Sequence, residues 1–253
     1  MKISLNSDGN IYVEVKNYQF DLKLVKRIVE VNGTRVPERI ESVDITNLAN
    51  GTDTTANYNV NKNPVAVKKG DIVKYTFRIY NEGNIDGYAS EITEDIPNGL
   101  EFMWSEKTDE ELEQDKTLTE EEKAAIVYNQ GIWSIKEVDT STNKATMVST
   151  DYLAKGKGAE IRTEGANLIK AFDPSKGYIN NINEKNPDYK EISIYMKVVS
   201  DEHTGTQIRN EAAITEDTDK NGKPVDDRDS STDIWKKYED DEDYDIVKLE
   251  AFD

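Results

Sequence analysis

Cysteine is absent from this chain of 253 residues, and histidine occurs once, at His203. Without cysteine the chain has no disulfide, no thiol nucleophile and no cysteine-based zinc site. A single histidine in a polar turn supports neither a hydrolase triad nor a histidine-based zinc site. The printed chain also lacks an apolar run long enough to cross a membrane.

The charge of the chain is strongly one-sided. Asp and Glu number 51 against 32 Lys and Arg, which gives a formal net charge of -19. Such a surface repels phosphates, so we exclude nucleic acid as a partner. The hydrophobic fraction is 36%, which indicates a thin core and long connections. An acidic surface of this kind suits an extracellular or a cation-binding protein.

Most of the sequence alternates apolar and polar residues with a period of two. The clearest stretches are "VKYTFRIY", "EISIYMKVV" and "IRNEAAI", and turn signals such as "KKGD", "NEGN" and "PNGL" separate the strands. One apolar and one polar face per strand is typical of antiparallel sheets. We therefore predict an all-β fold, an immunoglobulin-like antiparallel β-sandwich.

One segment departs from this pattern. "TLTEEEKAAIVYNQG" has Thr119 as a helix N-cap, Glu122 three residues later and Gly131 at the end. We predict a short helix at about 120–128. It lies in a loop-rich insertion at about 105–188, which interrupts the sandwich.

The two ends of the chain share a short repeat. "VEVKNYQFD" and "DIVKLEAFD" both place Phe-Asp shortly after Val-Lys, as a tandem module would at the start of its next copy. On this hypothesis residues 1–19 form a strand or linker from a preceding module. Residues 20–236 are the sandwich module, and the acidic residues 237–253 link it to the next repeat.

The stretch "FDLKLVKRI" places a lysine among apolar residues. Counted by twos, Lys26 shares a face with Leu24 and Ile28, and in "IRNEAAI" Asn210 shares the apolar face. A buried charge is costly unless it is paired or neutralised. Together with Asp95, beside Ile96 at a strand end, these residues are a buried amine, a carboxamide and a carboxyl. A neutral amine can attack the amide carbonyl while the acid polarises it, which releases ammonia and leaves an isopeptide bond.

These stretches are similar to the isopeptide-forming backbone domains of Gram-positive pilins and to repeat modules of clostridial-type surface proteins. The matching segments are "FDLKLVKRIVEVNG", "VAVKKGDIVKYTFRIYNEGNIDGYASEITEDIPNGLEF", "STDYLAKG", "EISIYMKVV", "IRNEAAITEDTD" and "DDRDSSTD". The resemblance implies an extracellular, cell-wall-associated protein with a lysine on the first strand, an acid before "IPNGL" and an asparagine on a late strand. By position these are Lys26, Asp95 and Asn210.

Alternatives to this site stay open. Lys23 is a second candidate amine, and Glu94 and Glu91 are alternative acids. Each polar residue could also be an ordinary hydrogen-bonded core group.

A second constellation is "DTDKNGKPVDDRDSSTD". Its acidic and amide residues follow the spacing of a calcium loop, with Gly222 at the sixth position, but Arg228 stands where an EF-hand has glutamate. The candidate Ca²⁺ ligands are Asp217, Asp219, Asn221, Asp227 and Asp229. A solvated acidic turn is the alternative, and the cross-link itself requires no cofactor.

Three functions follow from these patterns. The first is a non-enzymatic stalk module whose partners are neighbouring modules of the same polypeptide. The second is an adhesin module that binds a host protein or glycan through residues 105–188, using aromatics of "YNQGIW" and "SKGYINN" that we expect to be exposed. The third, a carbohydrate-active enzyme, is the weakest because nothing singles out a pair among the acids.

Overall fold

The computed structural model describes residues 2–5, 11–14, 19–228, 239 and 241–250. The strands in chain order are β1 (Lys2–Leu5), β2 (Ile11–Glu14), β3 (Leu22–Val31), β4 (Thr34–Arg35), β5 (Ser42–Asp44), β6 (Asn57–Asn59), β7 (Val65–Val67), β8 (Ile72–Asn81), β9 (Gly87–Asp95), β10 (Leu100–Phe102), β11 (Ser134–Asp139), β12 (Lys144–Thr150), β13 (Ile179–Asn180), β14 (Lys185–Asn186), β15 (Tyr189–Val198), β16 (Gln207–Asp219) and β17 (Glu242–Leu249). The helices are α1 (Thr46–Asn50), α2 (Asp109–Gln114) and α3 (Glu120–Gln130), with a 3-10 turn at Gly158–Ile161.

Two large sheets form the body of the fold. The first has the order β10-β15-β8-β3-β4, and the second has the order β11-β12-β9-β16-β17-β7. All pairs are antiparallel except β17 with β7. Apolar side chains of both sheets share one core, so the predicted antiparallel β-sandwich is confirmed.

Strand β3 shows how the alternating pattern becomes a packed layer. Its even-numbered residues from Leu22 to Ile28 face the core between the sheets, and Leu22, Leu24 and Ile28 are each 0% exposed. The opposite face is also covered, because Val25 packs with Tyr80 and Tyr189 beneath the β5-β6 hairpin. β3 is therefore buried on both sides.

The predicted helix forms with the predicted cap. The Thr119 side chain accepts a hydrogen bond from the Glu122 N–H, and the Glu122 side chain accepts one from the Thr119 N–H. α3 packs on the outer face of the first sheet, where the Asn129 side chain donates to the carbonyls of Met103 and Tyr195 at 2.9 and 2.8 Å. In the described part of the chain, no helix has the length and apolarity needed to span a membrane.

The aromatics of the insertion are not uniformly exposed, contrary to expectation. Trp133 is 3% exposed, stacks near Phe77 and donates from Nε1 to the Ser193 carbonyl at 2.7 Å. It is a core residue, which its position directly before β11 explains. Tyr178 does lie at the surface, with 39% exposure.

The acidic end of the chain belongs to the sandwich over Glu242–Leu249, where we predicted a linker. β17 lies between β16 and β7, and Val247 and Leu249 enter the core. Asp243 and Asp245 lie on the same face of the strand as Val247 and Leu249. That face tolerates them because each accepts a hydrogen bond from a backbone N–H of β3. The second Phe-Asp, at the end of the chain, lies outside the described residues. At the other end of the chain, β1 and β2 form a separate hairpin.

Three aspartates line the edge of β3 that does not pair with β8. Asp227 accepts from the Leu22 N–H at 2.9 Å, Asp243 from the Lys26 N–H at 2.7 Å, and Asp245 from the Ile28 N–H at 2.8 Å. We call these three residues the aspartate row. They satisfy backbone donors that a neighbouring strand would otherwise bind.

Candidate cross-linking site

Lys26 points from the first sheet into the core. Its side chain is fully buried, and Nζ lies 5.0 Å from the ring centre of Tyr75 and 5.3 Å from that of Phe77. Both aromatic residues belong to β8, the partner strand of β3. The lysine is therefore surrounded by apolar surface on its own sheet, and any partner must come from the opposite sheet.

That partner is Glu94 on β9. Lys26 Nζ lies 2.7 Å from both Oε1 and Oε2 of Glu94, and the carboxylate is fully buried. Glu94 shares the core face of β9 with Ile92, two residues earlier. The two sheets thus contribute an amine and a carboxyl group to a single buried contact.

The acid assigned from the sequence is corrected by this geometry. Asp95 follows Glu94 in β9, so it points to the other face and is partly exposed. Glu91 is also partly exposed and pairs with Lys136. Lys23 has the opposite parity to Lys26 and is partly exposed. Of the acids considered, Glu94 is the one that contacts Lys26.

Asn210 on β16 completes the group. Glu94 lies opposite Ala212 in the β9–β16 ladder, so Asn210, two residues away on the same face, is its diagonal neighbour. The Asn210 side chain is 0% exposed and interacts with both Glu94 and Tyr75. The predicted burial of Lys26 and Asn210 therefore agrees with the structure.

The amide of Asn210 is incompletely bonded. Its Nδ2 donates weakly to Met196 Sδ at 3.5 Å, while Oδ1 accepts no well-formed hydrogen bond from a described residue. The hydroxyl of Tyr75 is likewise buried without a well-formed bond. An amide oxygen left open in an apolar core is costly, and the neighbouring acid and phenol are groups that can polarise it.

Burial sets the protonation of the pair. Desolvation raises the pKa of Glu94 to about 7, against the opposing charge and hydrogen bonds of Lys26. Desolvation also lowers the pKa of Lys26, although Glu94 acts in the opposite direction. Both shifts favour a neutral amine beside a protonated acid, which is the state in which an amine is nucleophilic.

The predicted calcium loop does not assemble. Asp219 closes its own turn by accepting from the N–H groups of Asn221 and Lys223 at 2.8 and 3.0 Å. Asp217 is instead buried, and Asp227 is in the aspartate row. Asp229 lies outside the described residues. Among the described residues of the loop, no three carboxylates converge as a metal site requires.

A different acidic group was missed by the sequence analysis. The carboxylate oxygens of Glu239, Asp241 and Glu242 lie within 4.8 Å of one another. The sequence predicts an acidic linker here, because a run of like charges is usually solvated. Their convergence depends on the start of β17, which the sequence pattern did not predict.

Comparison with known proteins adds little to this description. No family model matches the sequence, and no curated protein matches it. Among solved structures, the chain is similar to BcpA, the major pilin subunit of Bacillus cereus, with a TM-score of 0.33 and 13% sequence identity. The match covers 98% of this chain and 47% of the pilin, so the chain spans about half of that protein's length.

Proposed function

We propose that this chain is a structural module of a bacterial surface protein, stabilised by an isopeptide bond that it forms between its own Lys26 and Asn210. Glu94 is the acid that promotes the bond. The observation that carries the proposal is the position of Glu94, which contacts the Lys26 amine at 2.7 Å and neighbours the Asn210 amide in a fully buried site.

The reaction needs no outside reagent. Neutral Lys26 Nζ attacks Cγ of Asn210, and the C–N bond forms as the carbonyl electrons move onto Oδ1. Glu94 donates its proton toward this oxygen and then shuttles the surplus amine proton to the leaving nitrogen. Collapse of the intermediate breaks the bond between Cγ and Nδ2, ammonia leaves, and the proton on Oδ1 returns to Glu94 as the carbonyl re-forms. The products are one secondary amide and one ammonia, and Glu94 regains its starting state.

Folding itself provides most of the catalysis. The amine and the amide are held by two rigid strands, and such positioning is worth effective concentrations of about 10⁵ M or more. The apolar surroundings disfavour the charged forms of Lys26 and Glu94. Aqueous lysine, by contrast, is protonated and unreactive at neutral pH.

The bond would join the two sheets of the sandwich. Lys26 belongs to β3 of the first sheet, and Asn210 belongs to β16 of the second. When the chain is pulled from its ends, residues between these positions cannot extend unless a covalent bond breaks. This property suits a stalk that carries load, with neighbouring modules of the same polypeptide as partners and no cofactor for the cross-link.

Intact-protein mass spectrometry of the full chain tests the proposal. We expect the parent protein to weigh one ammonia less than its calculated mass, and Lys26→Ala, Asn210→Ala and Glu94→Gln to show no deficit. Asp95→Asn is the matched control and should retain the loss. A digest should contain one branched peptide that joins the Lys26 and Asn210 segments.

The proposal fails if the parent protein has its full calculated mass. If the deficit persists in Glu94→Gln but disappears in Asp95→Asn, the cross-link stands and the assignment of the acid is wrong. Circular dichroism of each variant establishes that a missing bond does not reflect a missing fold.

A groove in the insertion supports a second function, recognition of a glycan or host protein. It has a volume of about 510 Å³ and is lined in part by Tyr152, Ile161 and Arg162. Ile161 is 73% exposed, and aromatic and Arg side chains are common in recognition sites. Glycan-array binding that is lost in Arg162→Ala but retained in Asn210→Ala would support this function.

A further inference from the structure

The connection that leads into β17 gathers three carboxylates. Those of Glu239, Asp241 and Glu242 have oxygens within 4.8 Å of one another. Asp241 is 4% exposed, and its carbonyl accepts a hydrogen bond from the Ile214 N–H at 2.9 Å. One member of the group is thus held inside the fold beside β16, and a backbone hydrogen bond fixes its position.

A fourth acid, Asp217, faces the same region from β16. It is 5% exposed, and its Oδ1 has no hydrogen-bond partner among the described residues. The β9–β16 ladder contains a bulge between Ile214 and Glu216. The bulge shifts the alternation by one residue, so that Asp217 follows Ile214 onto the buried face. This inward acid is a consequence of the backbone and is independent of the three carboxylates.

The leading electrostatic influences on Asp217 come from other acids and not from a cation. Burial comes first and raises its pKa to about 8, and the charges of Asp227, Asp241 and Asp226 act in the same direction. Buried carboxylates are normally paired with a cation or bound to a metal. Asp241 belongs both to the group of three and to the neighbours of Asp217, which connects the two observations.

We propose that Glu239, Asp241 and Glu242 bind a divalent cation, with Asp217 as an outer carboxylate that accepts a hydrogen bond from a metal-bound water. The donors are all oxygens, the set that Ca²⁺ prefers, whereas zinc and copper favour nitrogen or sulfur. The clustered residues come from a connection rather than from a rigid frame, which suits the flexible coordination of Ca²⁺ better than the strict octahedron of Mg²⁺.

The bound ion would fasten the start of β17 to β16. It would also lie near the beginning of the sandwich. Asp227 forms an isolated backbone β-bridge with Phe20, and its charge acts on Asp217. The site thus adds a reversible, cation-dependent attachment at the end of the chain. It does not depend on the Lys26–Asn210 bond.

Isothermal titration calorimetry on the full chain, freed of metal with a chelator, tests this site with Ca²⁺ and Mg²⁺ as probes. We expect one Ca²⁺ site with a dissociation constant of about 10⁻⁴ to 10⁻³ M, as in other extracellular modules. Loss of an outer-shell partner alone weakens metal binding by about 10- to 100-fold, so Asp217→Asn should weaken Ca²⁺ binding by at least about tenfold. Asp241→Asn should abolish it.

Asp219→Asn is the matched control, because Asp219 sits two residues from Asp217 but only closes its own turn. Its affinity for Ca²⁺ should equal that of the parent chain. Absence of Ca²⁺ binding up to about 10 mM, well above the weakest affinities of such modules, would overturn the proposal. Equal binding in Asp217→Asn, Asp241→Asn and the parent would also overturn it, since the ion would then bind elsewhere on the acidic surface. Circular dichroism distinguishes lost binding from lost fold, and Asp217→Asn keeps the test decisive if Asp241→Asn does not fold.

Discussion

Two consecutive basic residues on β3 are buried in different ways. Lys26 faces the core and meets Glu94, whereas Arg27 faces the other side of the first sheet and contacts Glu41 and Glu191. Lys26 is 0% exposed and Arg27 is 4% exposed. Burial alone therefore does not distinguish them, and the difference lies in how their partners are satisfied.

The Arg27 side is a complete ionic network. Glu41 contacts Arg27, Arg78 and the hydroxyl of Tyr80. Although burial acts to raise the pKa of Glu41, the Arg27 charge and the Tyr80 hydrogen bond lead the effects that lower it below its usual value. Glu41 is thereby held in its charged form, and the arginine side chain is not a nucleophile that burial can activate.

On the Lys26 side, a single carboxyl group contacts the amine. The Asn210 side-chain oxygen beside it accepts no well-formed hydrogen bond from a described residue. There burial prevails and raises the pKa of Glu94 to about 7. A lysine can lose its proton when it is buried, which an arginine cannot. The comparison indicates that a structural ion pair is one that is fully bonded and charged, while a reactive pair is one that burial can neutralise.

The largest expected effect comes from removing the amide. Asn210→Ala should abolish the cross-link and lower the free energy of unfolding by about 5 kcal/mol, the chain-entropy value for a closed loop of this length. Asn129→Ala is the control. Asn129 is a buried amide whose side chain makes three hydrogen bonds, all of them to backbone groups of Met103 and Tyr195. It should cost about 1–3 kcal/mol and leave the ammonia loss intact. Denaturant unfolding measures both, and equal costs would contradict a covalent role for Asn210.

A somewhat smaller effect is expected on the other face of β3. Glu41→Gln removes the buried one of two carboxylates that Arg27 and Arg78 share, and it should destabilise the fold by about 3 kcal/mol, as for a broken buried ion pair. Arg27 retains its contact with Glu191 at 2.8 Å, so the sheet should still form. The mass deficit should be unchanged. If Glu41→Gln prevents ammonia loss, the two faces of β3 are coupled and the comparison fails.

The smallest effect concerns pH, measured in Asn210→Ala so that the pair remains unlinked. Because the folded pKa of Glu94 is raised from 4.5 to about 7, the folded state binds more protons than the unfolded state between these values. The stability that Glu94 contributes should therefore fall as pH rises from 4.5 to 7 and then level off. The contribution of Glu94 is the difference in unfolding free energy between Asn210→Ala and Asn210→Ala/Glu94→Gln. Its change with pH has an upper bound of about 3 kcal/mol, at about 1.4 kcal/mol per pKa unit. A difference that does not change with pH would mean that Glu94 stays ionised in the fold.

The core side of the site was predictable because strand alternation is a local property. Parity placed Lys26 and Asn210 on the apolar faces of β3 and β16, where the structure has them. The acid was misassigned because Asp95 was chosen for its place directly before "IPNGL", where β9 ends, and not for its parity within the strand. Counting from Ile92 inside the strand leads to Glu94 instead.

Other features depend on geometry that a single sequence does not display. Thr119 and Glu122 predicted α3 from the sequence. The helix α2 was not predicted, because it has only six residues, although Thr108 and Glu111 form the same capping box at its start. The inward turn of Asp217 results from a bulge, which reverses the alternation without any glycine or proline to mark it. Long-range pairing of β17 likewise left no local signal among so many acids.

The aspartate row has a consequence for molecules that fold side by side. Exposed N–H groups along a strand edge invite a strand from a neighbouring chain to pair, which is a common start of aggregation. In this protein Asp227, Asp243 and Asp245 already hold three of the N–H groups on that edge of β3. An incoming strand would have to displace three carboxylates, of which Asp243 and Asp245 are also held by Lys62 and Arg39. Copies of the chain at high concentration are therefore kept from merging their first sheets through β3.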